Sequence, residues 1–161
     1  MIFLRDATAT DSGVLHEMNE EAVPNVNSLR RDQVEWFLTV APYFRIAEME
    51  GRIAGFLIGL GPGVQYESVN YRWFTKHHPQ FIYVDRIVIA PFARRRGIGR
   101  ILYEDFAAFG RARAPVMTCE VNLHPPNPGS MDFHRAMGFE QVGTQETEGG
   151  AKTVAMLVRK L

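Results

Sequence analysis

Tyr83-Val84-Asp85-Arg86-Ile87-Val88-Ile89, then Ala90-Pro91-Phe92-Ala93, then Arg94-Arg95-Arg96-Gly97-Ile98-Gly99, then Arg100-Ile101-Leu102-Tyr103-Glu104-Asp105-Phe106: this stretch organises the chain. Its opening is rich in β-branched residues and stops where Pro91 cannot continue a strand. After Gly97 the apolar residues Ile98, Leu102, Phe106 and Phe109 recur at helical spacing, which predicts one buried helix face. A strand therefore enters a helix through a loop of arginines and glycines.

The sign of that loop is unusual. The first turn of a helix exposes unpaired N–H groups and the positive end of its dipole, so Arg94, Arg95, Arg96 and Arg100 disfavour the helix unless an anion lies there. A phosphate or pyrophosphate fits, with Gly97 and Gly99 letting its oxygens approach the backbone. The alternative is a solvated arginine face with glycines that only shape a turn. The Gly-Lys-Ser/Thr ending of a nucleotide P-loop is absent, and the glycine spacing is not that of a dinucleotide fold.

Preceded by a strand and Pro91, Arg94-Arg95-Arg96-Gly97-Ile98-Gly99 resembles the R/Q-x-x-G-x-G/A signature of the GNAT acetyltransferase superfamily. A second segment extends the likeness. Asn127-Pro128-Gly129-Ser130-Met131-Asp132-Phe133-His134-Arg135-Ala136-Met137-Gly138-Phe139 resembles the family's N-x-x-A-x-x-F-Y-x-x-x-G-F motif, with Ser130 in place of the usual small residue and His134 in place of the tyrosine.

The resemblance implies an α/β fold. It comprises a mixed sheet of about seven strands, about four or five flanking helices and splayed parallel strands 4 and 5. It also implies acetyl-coenzyme A as co-substrate, bound through Ile87, Val88, Ile89, Arg94, Arg95, Arg96, Gly97, Ile98, Gly99, Arg100, Asn127, Ser130, Phe133 and His134. The pantetheine arm is expected between the splayed strands, adding hydrogen bonds to strand backbone such as Ile87 and Ile89 as a peptide does at a sheet edge.

Composition agrees with one domain over residues 1–161. The 161 residues are 46% hydrophobic, and 18 basic residues balance 18 acidic ones, so neither disorder nor a broad nucleic-acid surface is expected. A lone cysteine, Cys119, forms no internal disulfide, and the start lacks the apolar run of a signal peptide or membrane span, so a cytoplasmic protein is expected.

In chain order, Ile2 to Arg5 reads as a strand. Thr8 with Asp11 caps a helix whose predicted buried positions are Val14, Leu15, Met18 and Ala22. After the polar link Asn25-Val26-Asn27-Ser28, a second helix from Ser28 places Val34, Phe37, Leu38 and Ala41 on one face before Pro42. The resemblance makes these helices and their link, Asn25 included, a wall of the acceptor pocket. Tyr43 to Met49 and Arg52 to Leu60 form a hairpin around Glu50-Gly51. Residues 64–80 read as an inserted helix and loop whose aromatics, Tyr66, Tyr71 and Trp73 among them, either line the acceptor pocket or pack in the core. His77, His78, His124 and Cys119 match no metal-ligand spacing, so no metal is expected. Val116 to Asn122 is a strand parallel to Tyr83–Ile89, with Asn122 a candidate polar contact for the acceptor, and a hairpin around Glu148-Gly149-Gly150 closes the chain.

Amide formation requires the amine to lose protons as it attacks the thioester, an oxyanion to be stabilised and a thiolate to leave. Asp85 interrupts an apolar strand and is the first candidate base; a salt bridge to Arg86 or another arginine is its structural alternative. Glu120 is the second candidate. His134 is a candidate acid, since imidazolium donation to a thiolate is downhill, or else a packing or phosphate contact. Cys119 as a nucleophile is disfavoured, because a lone strand cysteine is usually buried and inert. The expected acceptor is a small or amino-acid-like primary amine, with a protein amino terminus or lysine second and a noncatalytic acyl-coenzyme A sensor third. No nucleic acid or membrane partner is expected; a second copy of the chain is a candidate partner.

Overall fold

The structure, a computed structural model, describes residues 1–161. The elements are β1 (Ile2–Asp6), α1 (Ser12–Glu21), α2 (Arg31–Val40), β2 (Tyr43–Met49), β3 (Arg52–Leu60), α3 (Val69–His77), β4 (Ile82–Ile89), α4 (Ile98–Arg111), β5 (Val116–His124), α5 (Pro128–Ala136), β6 (Glu140–Thr147) and β7 (Lys152–Lys160). Seven strands form one mixed sheet in the order β1-β2-β3-β4-β5-β7-β6. All neighbouring pairs with a described register are antiparallel except β4 and β5, whose parallel ladder comprises only Ile82 with Met117 and Tyr83 with Thr118. The chain divides into two compact units, Met1–Leu60 with Val84–Phe106, and Gly61–Tyr83 with Ala107–Leu161.

In the first unit, β1 pairs with β2 and β2 with β3 through the Glu50-Gly51 turn. Both turn residues have positive φ, 53° and 72°, as a two-residue hairpin of matching twist requires. From Ala54 to Leu60 every residue of β3 is buried, so this strand is covered on both faces. Its Gly59 admits the Phe106 ring of α4: a Cβ there would lie 2.3 Å from Cζ. Ile98, Leu102 and Phe106 are buried as the helical period predicts.

Helix α1 departs from its predicted face. Thr8 and Asp11 form the expected capping box, the Thr8 N–H donating to Asp11 Oδ2 at 2.8 Å, but the box heads a short 3-10 turn before the α-helix. Val14 is 46% exposed, Ala22 is half-buried, and Asn19 is completely buried alongside Leu15 and Met18. A polar residue occupies the buried face because a buried cation lies there to bind it. Helix α2 starts at Arg31 rather than Ser28, with the Arg30 N–H donating to Gln33 Oε1 at 2.8 Å. Val34 and Phe37 are buried, while Leu38 and Ala41 are half-buried.

In the second unit, β7 runs between β5 and β6. The Thr118 hydroxyl donates to the Ile82 carbonyl at 2.9 Å, fixing the start of the parallel pair. Helix α3 is capped by Ser68, whose Oγ accepts from the Tyr71 N–H at 3.2 Å, and it packs its aromatic face inward. Tyr71 and Phe74 lie beside Phe81 and Tyr83, with ring centroids 5.5–6.4 Å apart. Such aromatic clusters bury a large area per residue and fix ring orientation. Phe109, at the end of the α4 stripe, is half-buried, its ring covered by the Arg113 guanidinium at 3.8 Å.

Candidate active site

The arginine loop begins where β4 ends. Pro91 opens a single 3-10 turn through Ala93, and the chain then runs exposed through Arg94, Arg95, Arg96 and Gly97 before burying Ile98. Arg95 and Gly97 have φ of 61° and 78°. A non-glycine residue in the left-handed region costs about 1–2 kcal/mol, so Arg95 stores strain in the loop. The left-handed residues turn the loop backbone sharply before α4. Nothing would lie within 4 Å of a Cβ at Gly97, so the space beside its backbone is open. No carboxylate pairs with Arg94, Arg95, Arg96 or Arg100 among the ion pairs of this unit. Unpaired guanidiniums and the α4 amino terminus together suit a diphosphate. Gly99 is half-buried beside buried Ile98. A small cleft nearby is lined by Met18, Ala22, Val88, Ile89, Ala90 and Arg94, joining the end of β4 to the loop. Along β4, Val88 is buried whereas Ile87 and Ile89 are half-buried.

Asp85 is held in an ion pair. Its Oδ2 accepts from Arg86 Nε at 2.8 Å, and both side chains are 3% exposed. Arg86 continues into the α1–α2 link: Nη1 donates to Asn19 Oδ1 at 2.9 Å and to the Asn27 carbonyl at 3.2 Å, and Nη2 to Asn27 Oδ1 at 2.9 Å. The Glu20 carboxylate extends the network by accepting from the Ser28 hydroxyl, from the Leu29 N–H at 3.1 Å and from Asn19 Nδ2 at 2.8 Å. These donors lower its pKa to about 2. Asn25 lies exposed within the link.

The second unit surrounds Glu120 with donors. The Tyr83 hydroxyl lies 2.9 Å from Oε1 and 2.8 Å from Oε2, and Asn70 Nδ2 donates to Oε1 at 3.3 Å. Glu120 itself is half-buried. These donors hold the Glu120 carboxylate in place on β5. Tyr83 and Asn70 escaped the sequence reading; the only signal for Tyr83 was its place one turn of the β-pleat before Asp85.

His134 lies on α5 and is buried. Its Nδ1–H donates to the Ser130 carbonyl at 2.7 Å, which leaves the ring lone pair on Nε2 when the ring is neutral. Burial pushes the imidazole pKa down from 6.5, more than the Ser130 carbonyl raises it. Burial thus opposes the charged-donor role expected of His134. Phe133 is half-buried next to it, ring centroids 5.2 Å apart. Asn127 caps α5, its Oδ1 accepting from the Ser130 N–H at 3.3 Å. Gly138, at φ 93°, ends the helix, and the Phe139 N–H returns to the His134 carbonyl at 3.0 Å.

The aromatic insertion is committed to packing at two of its three candidate positions. The Tyr71 hydroxyl donates to the Gly61 carbonyl at 2.6 Å and accepts from the Val64 N–H at 3.1 Å, closing the preceding turn. Trp73 stacks on His77 at 3.7 Å and covers Gly143 of β6, where a Cβ would approach within 2.8 Å. Tyr66 rests against Tyr71, centroids 5.7 Å apart. Asn122 borders a surface cavity of about 250 Å³ with Asn127, Met131, Asp132 and Arg135.

The model of the Acetyltransferase (GNAT) family matches residues 13–139, so the chain belongs to the GNAT acetyltransferases. No curated protein matches the sequence. Among solved structures, Ard1 from Thermoplasma volcanium is similar at a TM-score of 0.80 and 13% identity, over 99% of this chain and 97% of that one. The ribosomal-protein-alanine N-acetyltransferase of Brucella melitensis is similar at 0.73 and 22% identity, over 99% of each chain. Naa20 of Chaetomium thermophilum, solved with a bisubstrate analogue, is similar at 0.76 and 22% identity, over 99% of this chain and 86% of that one. These likenesses carry the seven-stranded fold. No helix is long and apolar enough to cross a membrane.

Proposed function

We propose that the protein transfers the acetyl group of acetyl-coenzyme A directly to a primary amine of a small or amino-acid-like acceptor in the cytoplasm. The observation that carries coenzyme binding is the loop from Arg94 to Arg100, with its unpaired guanidiniums and left-handed backbone at Arg95 and Gly97. The diphosphate is assigned to the N–H groups and side chains of that loop, and the pantetheine amides to the β4 backbone at Ile87 and Ile89.

The base is assigned to Glu120. Asp85 is already neutralised by Arg86, whereas Glu120 is half-buried and faced by hydrogen-bond donors. The amine nitrogen forms a bond to the thioester carbon as Glu120 takes a proton, directly or through water. The tetrahedral intermediate then collapses, the C–S bond breaks, and the electron pair leaves on sulfur. A thiol with a pKa near 8.5 is a tolerable leaving group without a standing acid. His134, Asn127, Ser130 and Phe133 are assigned to shape the coenzyme's surroundings.

Free-thiol release from acetyl-coenzyme A with panels of amines and peptides tests this. Glu120→Gln is expected to lower kcat/KM about 100-fold or more, the usual contribution of a positioned base. Undiminished turnover in that variant would remove the assignment. A second acceptor, the α-amine of a protein, is favoured by the structural neighbours named for alanine or Naa20-type acetylation. Activity confined to peptides would select it.

A further inference from the structure

Helix α3 delivers an amide to Glu120, and β6 orients that amide. Gln145 Nε2 of β6 donates to Asn70 Oδ1 at 2.7 Å, and Asn70 Nδ2 donates to Glu120 Oε1 at 3.3 Å. An ionised carboxylate has no proton to give, so Asn70 must turn its nitrogen toward Glu120 and its oxygen toward Gln145. The Tyr83 hydroxyl carries a single proton yet lies almost equally near both carboxylate oxygens, 2.9 and 2.8 Å away. The Asn70 donor, by contrast, addresses Oε1 alone and so favours one rotation of the carboxylate. Tyr83 is fixed by the same helix, its ring edge-on to Tyr71 at 5.5 Å and 5.8 Å from Phe74.

We propose that Asn70, oriented by Gln145, is a positioning residue that holds Glu120 for proton abstraction, and that α3 is the element that aims the base. The inference rests on the assignment of the base to Glu120. Among the groups facing that carboxylate are the Tyr83 phenol from β4 and the Asn70 amide from α3, and its β7 neighbour in register, Met156, carries no charge.

Asn70→Asp isolates the donor, because it keeps the shape and the acceptor for Gln145 but sets an oxygen against Glu120. The expected result is a fall in kcat of about 10-fold or more, with KM for acetyl-coenzyme A unchanged within about twofold. The acid-side midpoint of kcat/KM should rise by about one pH unit, since a like charge disfavours ionisation. The added charge moves that midpoint whatever Asn70 does, so the positioning role is read from kcat in Gln145→Leu, which adds no charge. Gln145→Leu leaves Asn70 in place without its orienting partner and should lower kcat by about threefold, which keeps the test intact should the first variant fail to fold. Normal kcat and midpoint in folded Asn70→Asp, or normal kcat in Gln145→Leu, would overturn the positioning role. Collapse of Glu120→Gln beside a normal Asn70→Asp would sink this inference alone; wild-type turnover in Glu120→Gln would sink the base assignment and this inference together.

Discussion

Replacing Arg86 by alanine leaves the Asp85 carboxylate, 3% exposed, without its counterion. Breaking one side of a buried ion pair costs about 3–5 kcal/mol, because the remaining charge stays desolvated. Asn19 Oδ1 and Asn27 Oδ1 lose their donor as well, while the Asn27 carbonyl keeps only Asn19 Nδ2, so the upper half of that range is expected. For a chain of this size each kcal/mol moves Tm by about 2–4 °C, which predicts a drop of at least about 8 °C. Urea denaturation of Arg86→Ala, Asp85→Leu and the Asp85→Leu/Arg86→Met double variant separates pair from packing. The double variant should recover about 2 kcal/mol relative to the sum of the singles, as apolar replacement of a buried pair is far cheaper than its disruption. Asp85→Asn, which still accepts from Arg86, should retain kcat within about threefold. An Arg86→Ala loss below about 1 kcal/mol, or a collapse of kcat in Asp85→Asn with stability intact, would refute the structural assignment of Asp85.

Two further perturbations test the frame. In Gly59→Ala the new Cβ would meet the Phe106 ring at 2.3–2.4 Å, and Phe106 is fully buried against Tyr43, so thermal melts should show a loss of about 1–3 kcal/mol that Phe106→Leu relieves. Asp11 is held by Arg5 at 2.8 and 2.9 Å, with help from the Thr8 N–H, and Arg5 brings its carboxyl from 3.8 down to about 2. A depressed carboxyl stabilises the fold fully above pH 3.8 and ceases to as pH falls toward 2. Asp11→Asn should therefore cost about 1 kcal/mol at pH 7, allowing for the partial exposure of Arg5, and nothing near the acid limit of that window. Buried His134 acts in the same sense from pH 6.5 downward, since its neutral form is the one the fold prefers.

Much of the frame was legible because local chemistry and tertiary context agree in it. Glu50-Gly51 demands a two-residue turn, Pro91 ends a strand, and Gly138 with Phe139 closes α5, whatever surrounds them. The inner face of α1 was not legible. Asn19 replaces Val14 there because Arg86, 67 residues away, reaches it, and no local periodicity encodes that distance. Tyr71 and Trp73 read as core residues before pocket residues, without a named partner in sequence; the turn at Gly61 and the bare backbone of Gly143 supply those partners. Asp85 and Glu120 were both strand carboxylates in sequence. Their partners, Arg86 for one and Tyr83 with Asn70 for the other, now give them different chemistry.

Calorimetric titration of acetyl-coenzyme A into the wild-type chain and into Arg95→Glu/Arg96→Glu addresses the central claim, that the arginine loop holds the coenzyme's diphosphate. Saturable one-to-one binding is predicted for the wild type. Affinity should fall about 10-fold or more in the charge-reversed variant, with the difference shrinking at high salt. No binding by the wild type, or equal affinity in both proteins, would contradict it.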